Sequence, residues 1–217
     1  MKTHTVHFIP IVIALGFSLS VMPLANAETT ENLKPNRYIH RGELTLDTLS
    51  EFKAYLIQYP ATREIEFVNS PGASQYAFKL FNEYVSIIEV HKMTTFARGY
   101  CNSLCASLFL SGEQRYLLPS QDKKNTVLTF HPAFRGNSGI DYQITLQIDK
   151  HLQPKNPWLN EKPFFKIYDV KGEDGGVKIY RQAKSGYHVY FQESFGSKLQ
   201  VLSPHTLDQL GIGVRDD

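Results

Sequence analysis

Hydrophobic and polar positions in the first half of the chain predict an alternation of strands and helices. Short apolar or alternating runs that end in turn residues predict strands, and apolar residues that recur every three or four positions predict helices. Strand, helix, strand, helix in this order implies parallel strands joined by crossover helices, which is an α/β fold. The predicted strands are 38–40, 64–68 and 93–97, the last ended by Gly99, and the predicted helices run from a cap at Asp47 to Pro60, over 73–90 and over 103–111.

The second half has a less regular pattern that still predicts both kinds of element. Two strands are separated by the polar loop 120–126, and a hairpin turns at Lys184-Ser185-Gly186. A last helix is expected to begin at Ser203-Pro204, because serine caps helices and proline fits their first turn, and to end at Gly211. The predicted strands are 114–118, 127–130, 177–180 and 187–191, and the other predicted helices are 140–152 and 157–168.

Residues 1–27 have the pattern of an export signal peptide. A positively charged start precedes an apolar run at 8–22, and Ala25-Asn26-Ala27 is a small-x-small cleavage site. The run is too short for a membrane-spanning helix, which needs about 20 apolar residues. We therefore expect cleavage, a flexible leader at 28–36, one domain at 37–217 and a periplasmic or secreted location, with no integral membrane segment after signal removal. An uncleaved N-terminal anchor is the alternative.

Composition excludes several functional classes. The 217 residues include 23 Lys and Arg against 21 Asp and Glu, a net charge of +2, and the basic residues form no block. A nucleic-acid groove or a polybasic membrane patch is therefore not expected. Two cysteines are too few for a disulfide scaffold or a four-thiolate zinc site, and the histidines lack an HExxH-like spacing. We predict no metal, no cofactor and no nucleic-acid partner.

Three segments carry the residue types of acyl-transfer chemistry. Ser70-Pro71-Gly72 is a turn at a strand end whose N–H groups can receive an anion. The run 99–105 places Ser103 at a helix start, where N–H groups and the helix dipole favour negative charge. The run 129–132 places His131 at the end of a buried strand. Such a serine, histidine and donor pocket are the nucleophile, base and oxyanion stabiliser of acyl transfer.

Each of these residues also has a purely structural interpretation. A serine at a helix start is most often the N-cap, so Ser103 taken alone predicts a cap. A lone histidine such as His131 is more often a hydrogen-bonded core residue than a base. Gly72 is explained by the turn itself under either interpretation. Chemistry is expected only if the three segments meet in space.

In these segments the sequence resembles the Clp protease proteolytic subunit (ClpP) and its crotonase-superfamily relatives. The resemblance is closer to exported Clp-protease-like proteins that carry a Cys-x-Ser-x-Cys run. It covers 38–132 and returns more weakly at 202–212, and several motifs agree in order and spacing. It implies a ClpP/crotonase-like spiral of ββα units with a serine hydrolase site, followed by an irregular C-terminal extension. The matching motifs are Val68-Asn69-Ser70-Pro71-Gly72, Gly99 to Cys105, Ser111-Gly112 with Arg115, and Phe130-His131-Pro132.

The resemblance implies a role for each matching residue. Ser103 corresponds to the nucleophile and His131 to the general base. The backbone N–H groups of Ala73 and Leu104 correspond to the two oxyanion donors. The implied site is therefore a Ser-His pair with a backbone oxyanion hole.

The sequence departs from the family pattern at three places. Ala73 replaces the second glycine of the family's Pro-Gly-Gly turn, which matters if that position requires a positive φ. The loop 120–126 is longer than the family's. Lys198 stands where the family has the acid that orients the histidine, and Glu193 or Asp208 would have to substitute for it. Loss of that acid costs about 10⁴ in rate in a serine-protease triad.

Cys101 and Cys105 flank Ser103 and are candidates for a disulfide. On one helix their Cα atoms would lie about 6 Å apart, which a disulfide tolerates. An oxidising export compartment favours the bond. We expect a clamp that fixes the serine turn, and two free buried thiols are the alternative.

Two functions from different classes follow from these residues. The first is an exported serine hydrolase, a peptidase, that acts on a peptide or protein substrate. The second is a catalytically silent ClpP-like protein that keeps the fold to bind a peptide or a protein partner. Members of the family form rings, so the resemblance is compatible with a homo-oligomer.

Overall fold

Residues 36–135, 139–172 and 174–216 are described by a computed structural model. The predicted signal peptide at 1–27 lies outside the described residues, as does the leader at 28–36 except its last residue. Among the helices of the described residues, none combines the length and the apolar character needed to cross a membrane. The elements are β1 (Arg37–Arg41), α1 (Leu46–Gln58), β2 (Glu64–Ser70), α2 (Ala77–Val90), β3 (Thr94–Asn102), α3 (Leu104–Leu110), β4 (Arg115–Leu118), β5 (Val127–Phe130), α4 (Tyr142–Leu152), β6 (Gly176–Lys184), β7 (Tyr187–Gln192), β8 (Gln200–Ser203) and β9 (Gly213–Val214), with short 3₁₀ helices at Pro157–Asn160, Lys162–Asp169 and Asp208–Leu210.

The strands form a single branched sheet whose main order is β1-β2-β3-β5-β6-β7-β8. Pairings from β1 to β5 are parallel, and β6, β7 and β8 add antiparallel strands. Strand β3 pairs with β4 over Thr95–Arg98 and with β5 over Tyr100–Asn102, and β4 also pairs with β9. The predicted α/β class is confirmed, and the branching at β3 agrees with the predicted spiral of ββα units.

Helices α1, α2 and α3 bury their apolar residues against the parallel strands. Phe52 of α1 and Tyr84 of α2 are buried and stack with ring centroids 5.6 Å apart. Fully burying one such side chain stabilises a fold by about 1.5–3 kcal/mol. The apolar stripe predicted for 73–90 is therefore the core-facing side of α2. Its buried members are Leu80, Phe81, Tyr84, Val85 and Ile88.

Three predicted boundaries in the first half were wrong for local reasons. Thr45, not Asp47, caps α1, because its hydroxyl accepts a hydrogen bond from the Thr48 N–H in a reciprocal capping box. Helix α2 begins at Ala77 rather than at residue 73, because 73–76 extend the turn that follows β2. Strand β3 continues through Gly99, which has a φ of +75° and whose lack of a side chain leaves room for the side chain of Asn69.

The second half departs further from prediction. The hairpin around Lys184-Ser185-Gly186 is confirmed by the β6–β7 pairing. Ser203 ends β8 instead of capping a helix, and only a 3₁₀ turn at Asp208–Leu210 follows it. The predicted helix at 157–168 is two 3₁₀ helices, each with a proline in its first turn. Short strands such as β8 and β9 carry too few residues to give a periodic signal.

Candidate active site

Ser103 occupies a sharp turn between a strand and a helix. It directly follows β3 and directly precedes α3, with φ 55° and ψ −125°. An L-residue rarely adopts this conformation, and such strain costs on the order of 1–3 kcal/mol and is concentrated at functional sites. Its N–H donates to the carbonyl oxygen of Thr129 at 2.8 Å, which ties the turn to β5. A serine on a strained strand-to-helix turn is the geometry of a nucleophile elbow.

The side chain of Ser103 does not serve as a helix cap. A capping serine has extended backbone angles, and its hydroxyl accepts a hydrogen bond from the first turn of the helix. Within the described residues, Ser103 makes no such bond to α3, and its φ is positive. Ser103 therefore occupies the N-cap position of α3 without capping the helix through its side chain, and this half-buried residue lines a cleft.

The turn at 70–72 packs directly against Ser103. Gly72 has φ +97°, and a Cβ at this position would lie 2.9 Å from Ser103 Cβ and 3.0 Å from the nitrogen of Leu104. Only glycine allows this approach, so the turn and the serine segment, whose meeting the sequence left open, lie side by side in the structure. Ala73 is not among the described non-glycine residues with positive φ. The absence of a second glycine therefore imposes no strain at Ala73.

His131 follows β5, the strand that pairs with the end of β3. The register places Asn102 opposite Thr129, so Ser103 and His131 lie beyond neighbouring carboxyl ends of parallel strands. The Nδ1 atom of His131 lies 2.8 Å from the carbonyl oxygen of Pro132. A carbonyl oxygen only accepts, so Nδ1 carries the proton in this hydrogen bond. In the neutral ring, Nε2 therefore carries the lone pair that a general base needs.

A cleft of about 620 Å³ is lined by all of the predicted catalytic and oxyanion residues, but not by the two cysteines. Helix α4, which follows the segment that resembles the family, supplies one wall of this cleft through residues spaced three and four apart. Most side chains on this wall and beneath it are apolar. The predicted residues in the lining are Gly72, Ala73, Ser103, Leu104 and His131, and those from α4 are Ile144, Thr145, Ile148, Asp149 and Leu152.

The candidate substitutes for the missing acid lie elsewhere. Among the described residues, neither Lys198, Glu193 nor Asp208 belongs to the lining of the cleft. Glu193 instead pairs with Lys171 at 2.7 Å. The sequence-based suggestion of either acid as a third catalytic residue therefore gains no support.

Two acids in the cleft are occupied by structural contacts. Glu43 accepts hydrogen bonds from the N–H and hydroxyl of Ser74, which lower the pKa of its carboxyl. Asp141 accepts from Arg135 at 2.7 Å and caps α4 by accepting from the Ile144 N–H, and these bonds lower its pKa. Both carboxylates therefore hold segments of the cleft wall in place.

Sequence reasoning missed a third acid, Asp149. It lies on the cleft-facing side of α4, half-buried, and accepts a hydrogen bond from the hydroxyl of Tyr168 at 2.6 Å. Burial raises the pKa of its carboxyl. The available signal was a carboxylate at the spacing of the apolar residues Ile144, Ile148 and Leu152, where a helix buries its inner face.

Cys101 and Cys105 are placed as a disulfide pair across the serine turn. Their Cα atoms lie 5.2 Å apart, and both side chains are buried. Cys101 belongs to β3 and Cys105 to α3, so the pair does not share one helix as the spacing argument assumed. The pairing instead joins the two elements that meet at Ser103.

The described part of the chain offers no obvious metal centre. Within 36–135, 139–172 and 174–216, no group of three or more His, Cys, Asp or Glu side chains is arranged to hold an ion.

Comparison with known proteins finds similarity at the level of structure. No protein-family model matches this sequence, and no curated protein sequence is significantly similar to it. The chain is similar to the ClpP protease catalytic domain from Plasmodium falciparum, with a TM-score of 0.46 and 18% identity over 63% of this chain and 77% of that one. It is also similar to a ClpP1 mutant from Listeria monocytogenes, with a TM-score of 0.43 and 16% identity over 57% and 73%. Neither match assigns a role to a residue of this chain.

Proposed function

We propose that this protein is an exported serine hydrolase, most simply a peptidase, with Ser103 as nucleophile and His131 as general base. The observation that carries the proposal is Ser103 itself. It is a strained serine whose side chain does not cap α3 and that lines the same cleft as the histidine. Backbone strain of this kind persists only where the surrounding structure maintains it.

The proposed reaction uses the groups that line the cleft. His131 Nε2 takes the proton of Ser103 Oγ while Oγ attacks the substrate carbonyl carbon. The N–H groups of Ala73 and Leu104 stabilise the resulting oxyanion. Collapse of this intermediate expels the amine, which takes the proton from His131. Water, deprotonated by the same nitrogen, then hydrolyses the acyl-serine ester and regenerates Ser103.

A backbone carbonyl takes the position at Nδ1 that a carboxylate has in a triad. The carbonyl oxygen of Pro132 fixes the tautomer and orientation of His131 but carries no full negative charge to stabilise the imidazolium. Replacing the triad aspartate with a neutral residue in a serine protease costs about 10⁴ in rate. We therefore expect slow turnover and a serine that is most easily detected by covalent labelling.

The experiment is labelling of the purified mature protein with a fluorophosphonate probe. We expect the wild-type protein to be labelled, and Ser103→Ala and His131→Ala to lose labelling while remaining folded by circular dichroism. Ser107→Ala is the matched control, because Ser107 lines the same cleft from α3 and has no role in the proposed reaction. Equal labelling of Ser103→Ala and wild type would overturn the proposal.

Export is a separate part of the proposal and rests on the sequence pattern at 1–27. Cleavage after Ala27 predicts a mature chain that begins at Glu28. N-terminal sequencing of the protein recovered from the periplasm or medium tests this. A chain that retains residues 1–27 would instead support the uncleaved anchor.

A catalytically silent binding protein is the second candidate. Lys198 at the expected acid position and the neutral partner of His131 Nδ1 favour it. Such a protein would use the same cleft to bind a peptide or a protein partner. Absence of fluorophosphonate labelling in folded protein would favour this function over the first.

A further inference from the structure

The α4 wall of the cleft carries an acid that the proposed reaction does not use. Asp149 lines the cleft that contains Ser103 and His131, and it also lines a small adjoining cavity between α4 and the 3₁₀ segments. The other cleft-facing residues of α4 are Thr145, whose hydroxyl is already engaged with the Ala133 N–H, and the apolar Ile144, Ile148 and Leu152. A carboxylate among such neighbours loses solvation that only a hydrogen bond or a cation can replace.

The charge of Asp149 is not balanced within the described structure. Its one described hydrogen-bond partner is the neutral hydroxyl of Tyr168, and none of the described ion pairs includes it. Asp141, the N-cap residue that precedes α4 and also lines the cleft, is paired with Arg135. Asp149 is therefore the α4 carboxylate in a position to receive a positive charge from outside the chain.

The contacts of α4 show where Asp149 lies relative to the part of the cleft that contains Ser103 and His131. The Thr145 hydroxyl accepts a hydrogen bond from the Ala133 N–H at 2.9 Å, which fixes α4 next to the segment that follows His131. Asp149 lies one helical turn beyond Thr145, about 6 Å along the helix axis. Apolar side chains of the strands, α3 and the 3₁₀ segments line this part of the cleft: Leu110, Phe130, Leu159 and Ile167.

We propose that Asp149 is a specificity-determining residue that receives the cationic end of a lysine- or arginine-like side chain of the substrate. The methylene stem of such a side chain would pack on the apolar walls, and its charged end would reach the carboxylate. A charge-assisted hydrogen bond in a partly buried site is stronger than one between neutral groups. This inference rests on the proposed hydrolase function and specifies its substrate class.

The proposal implies a pH dependence of ligand binding. Burial raises the pKa of Asp149, so its carboxyl becomes protonated at a higher pH than that of an exposed aspartate. The protonated carboxyl is neutral and does not attract a cationic ligand. Affinity for a cation should therefore rise with pH through that raised pKa. The other ionisable groups that face the cleft are Glu43, Tyr76, Lys79, His131, Arg135 and Asp141, and Tyr168 faces Asp149 from the 3₁₀ segment.

The test measures equilibrium binding and does not require turnover. The fluorescent cation 4-aminobenzamidine and its neutral analogue 4-aminobenzamide are titrated into Ser103→Ala protein, alone and combined with Asp149→Asn or Tyr168→Phe. We expect the amidine to bind at least about tenfold more tightly than the amide, as a charged hydrogen bond predicts. Asp149→Asn should abolish this preference, whereas Tyr168→Phe should keep it.

The Tyr168→Phe variant separates recognition from a structural role. It removes the Asp149–Tyr168 hydrogen bond but leaves the carboxylate, so a residue that only anchors the 3₁₀ segment would respond alike to both substitutions. Equal binding of the two probes, no binding of either, or an amidine preference that survives Asp149→Asn would overturn the proposal. Fluorophosphonate labelling of Ser103 reports on the hydrolase function independently, so the two proposals can fail separately.

Discussion

Two closely packed residues, Gly72 and Ser103, determine the local geometry of the candidate site. The positive φ of Ser103 turns its side chain away from the helix it precedes, and the absence of a side chain at Gly72 lets the neighbouring turn approach. Neither property can be read from residue type alone, because serine at a helix start normally predicts a cap. The backbone conformation therefore distinguishes a candidate nucleophile from an ordinary capping residue.

Gly72→Ala should damage the site more than an equivalent substitution elsewhere. The new Cβ would lie 2.7 Å from the carbonyl oxygen of Asn102 and would also carry the cost of a positive φ. We expect a loss of about 2–4 kcal/mol in the free energy of unfolding and at least tenfold slower fluorophosphonate labelling. Urea denaturation and labelling rates measure the two effects.

Gly186→Ala is the matched control for this prediction. Gly186 also has a positive φ, +84°, but nothing lies within 4 Å of its ideal Cβ. It should therefore lose only the conformational part, about 1 kcal/mol, and keep its labelling rate. Equal losses in the two variants would contradict a specific role for the contact between Gly72 and the serine turn.

His40 makes the stability of the fold depend on pH. It is 2% exposed, its Nε2 lies 3.1 Å from the Gly42 carbonyl oxygen, and burial lowers its pKa below the ordinary 6.5. The folded state thus favours the neutral ring, so its contribution to stability is full above the unfolded-state pKa and is lost as pH falls through the folded-state pKa. The free energy of unfolding should decrease on acidification below about pH 6.5.

The comparison with His40→Gln isolates this effect from the other histidines. Glutamine keeps a polar side chain at the position but does not titrate. Urea denaturation between pH 7.5 and pH 5 should show a smaller pH-dependent loss in the variant. Parallel curves for the two proteins would mean that His40 does not contribute to the pH dependence.

At the scale of elements, the serine turn joins β3, α3 and β5 and is closed by the Cys101–Cys105 pair. The helices and strands of the first half were predictable, because periodicity reports which residues are buried in a strand or helix. The junctions between elements were less predictable, because the cap of α1 and the start of α2 depend on the geometry of turns outside the periodic segments. Helix α4 was predicted at 140–152, yet nothing local indicates that its inner face lines the cleft.

Removal of the disulfide pair should weaken the serine turn. A bond that closes so short a loop stabilises the folded state by about 2 kcal/mol in the chain-entropy model. We expect Cys101→Ala/Cys105→Ala to lose about that much in urea denaturation and to react more slowly with the fluorophosphonate probe. Reductant should lower the stability of the wild type but not of the double variant. A wild type insensitive to full reduction would contradict the proposed clamp.

At the scale of the whole molecule, the α/β class follows from the sequence, whereas the meeting of the three segments was left open by it and the completion of the site does not follow from it. Parallel strands bring their carboxyl ends to one edge, so the ends of β3 and β5 could be expected to meet. The Nδ1 partner of His131 is a backbone carbonyl, which leaves no signature in residue types. The position of Asp149 depends on how α4 packs, and the short strands β8 and β9 depend on tertiary pairing.

The central claim is that Ser103 is an activated nucleophile, and mapping of the covalent adduct tests it most directly. The mature, oxidised protein is treated with the fluorophosphonate probe, digested and sequenced by tandem mass spectrometry. We expect one adduct, on Ser103, that is absent when His131→Ala is treated in the same way. An adduct on another residue, or none on the folded protein, would contradict it.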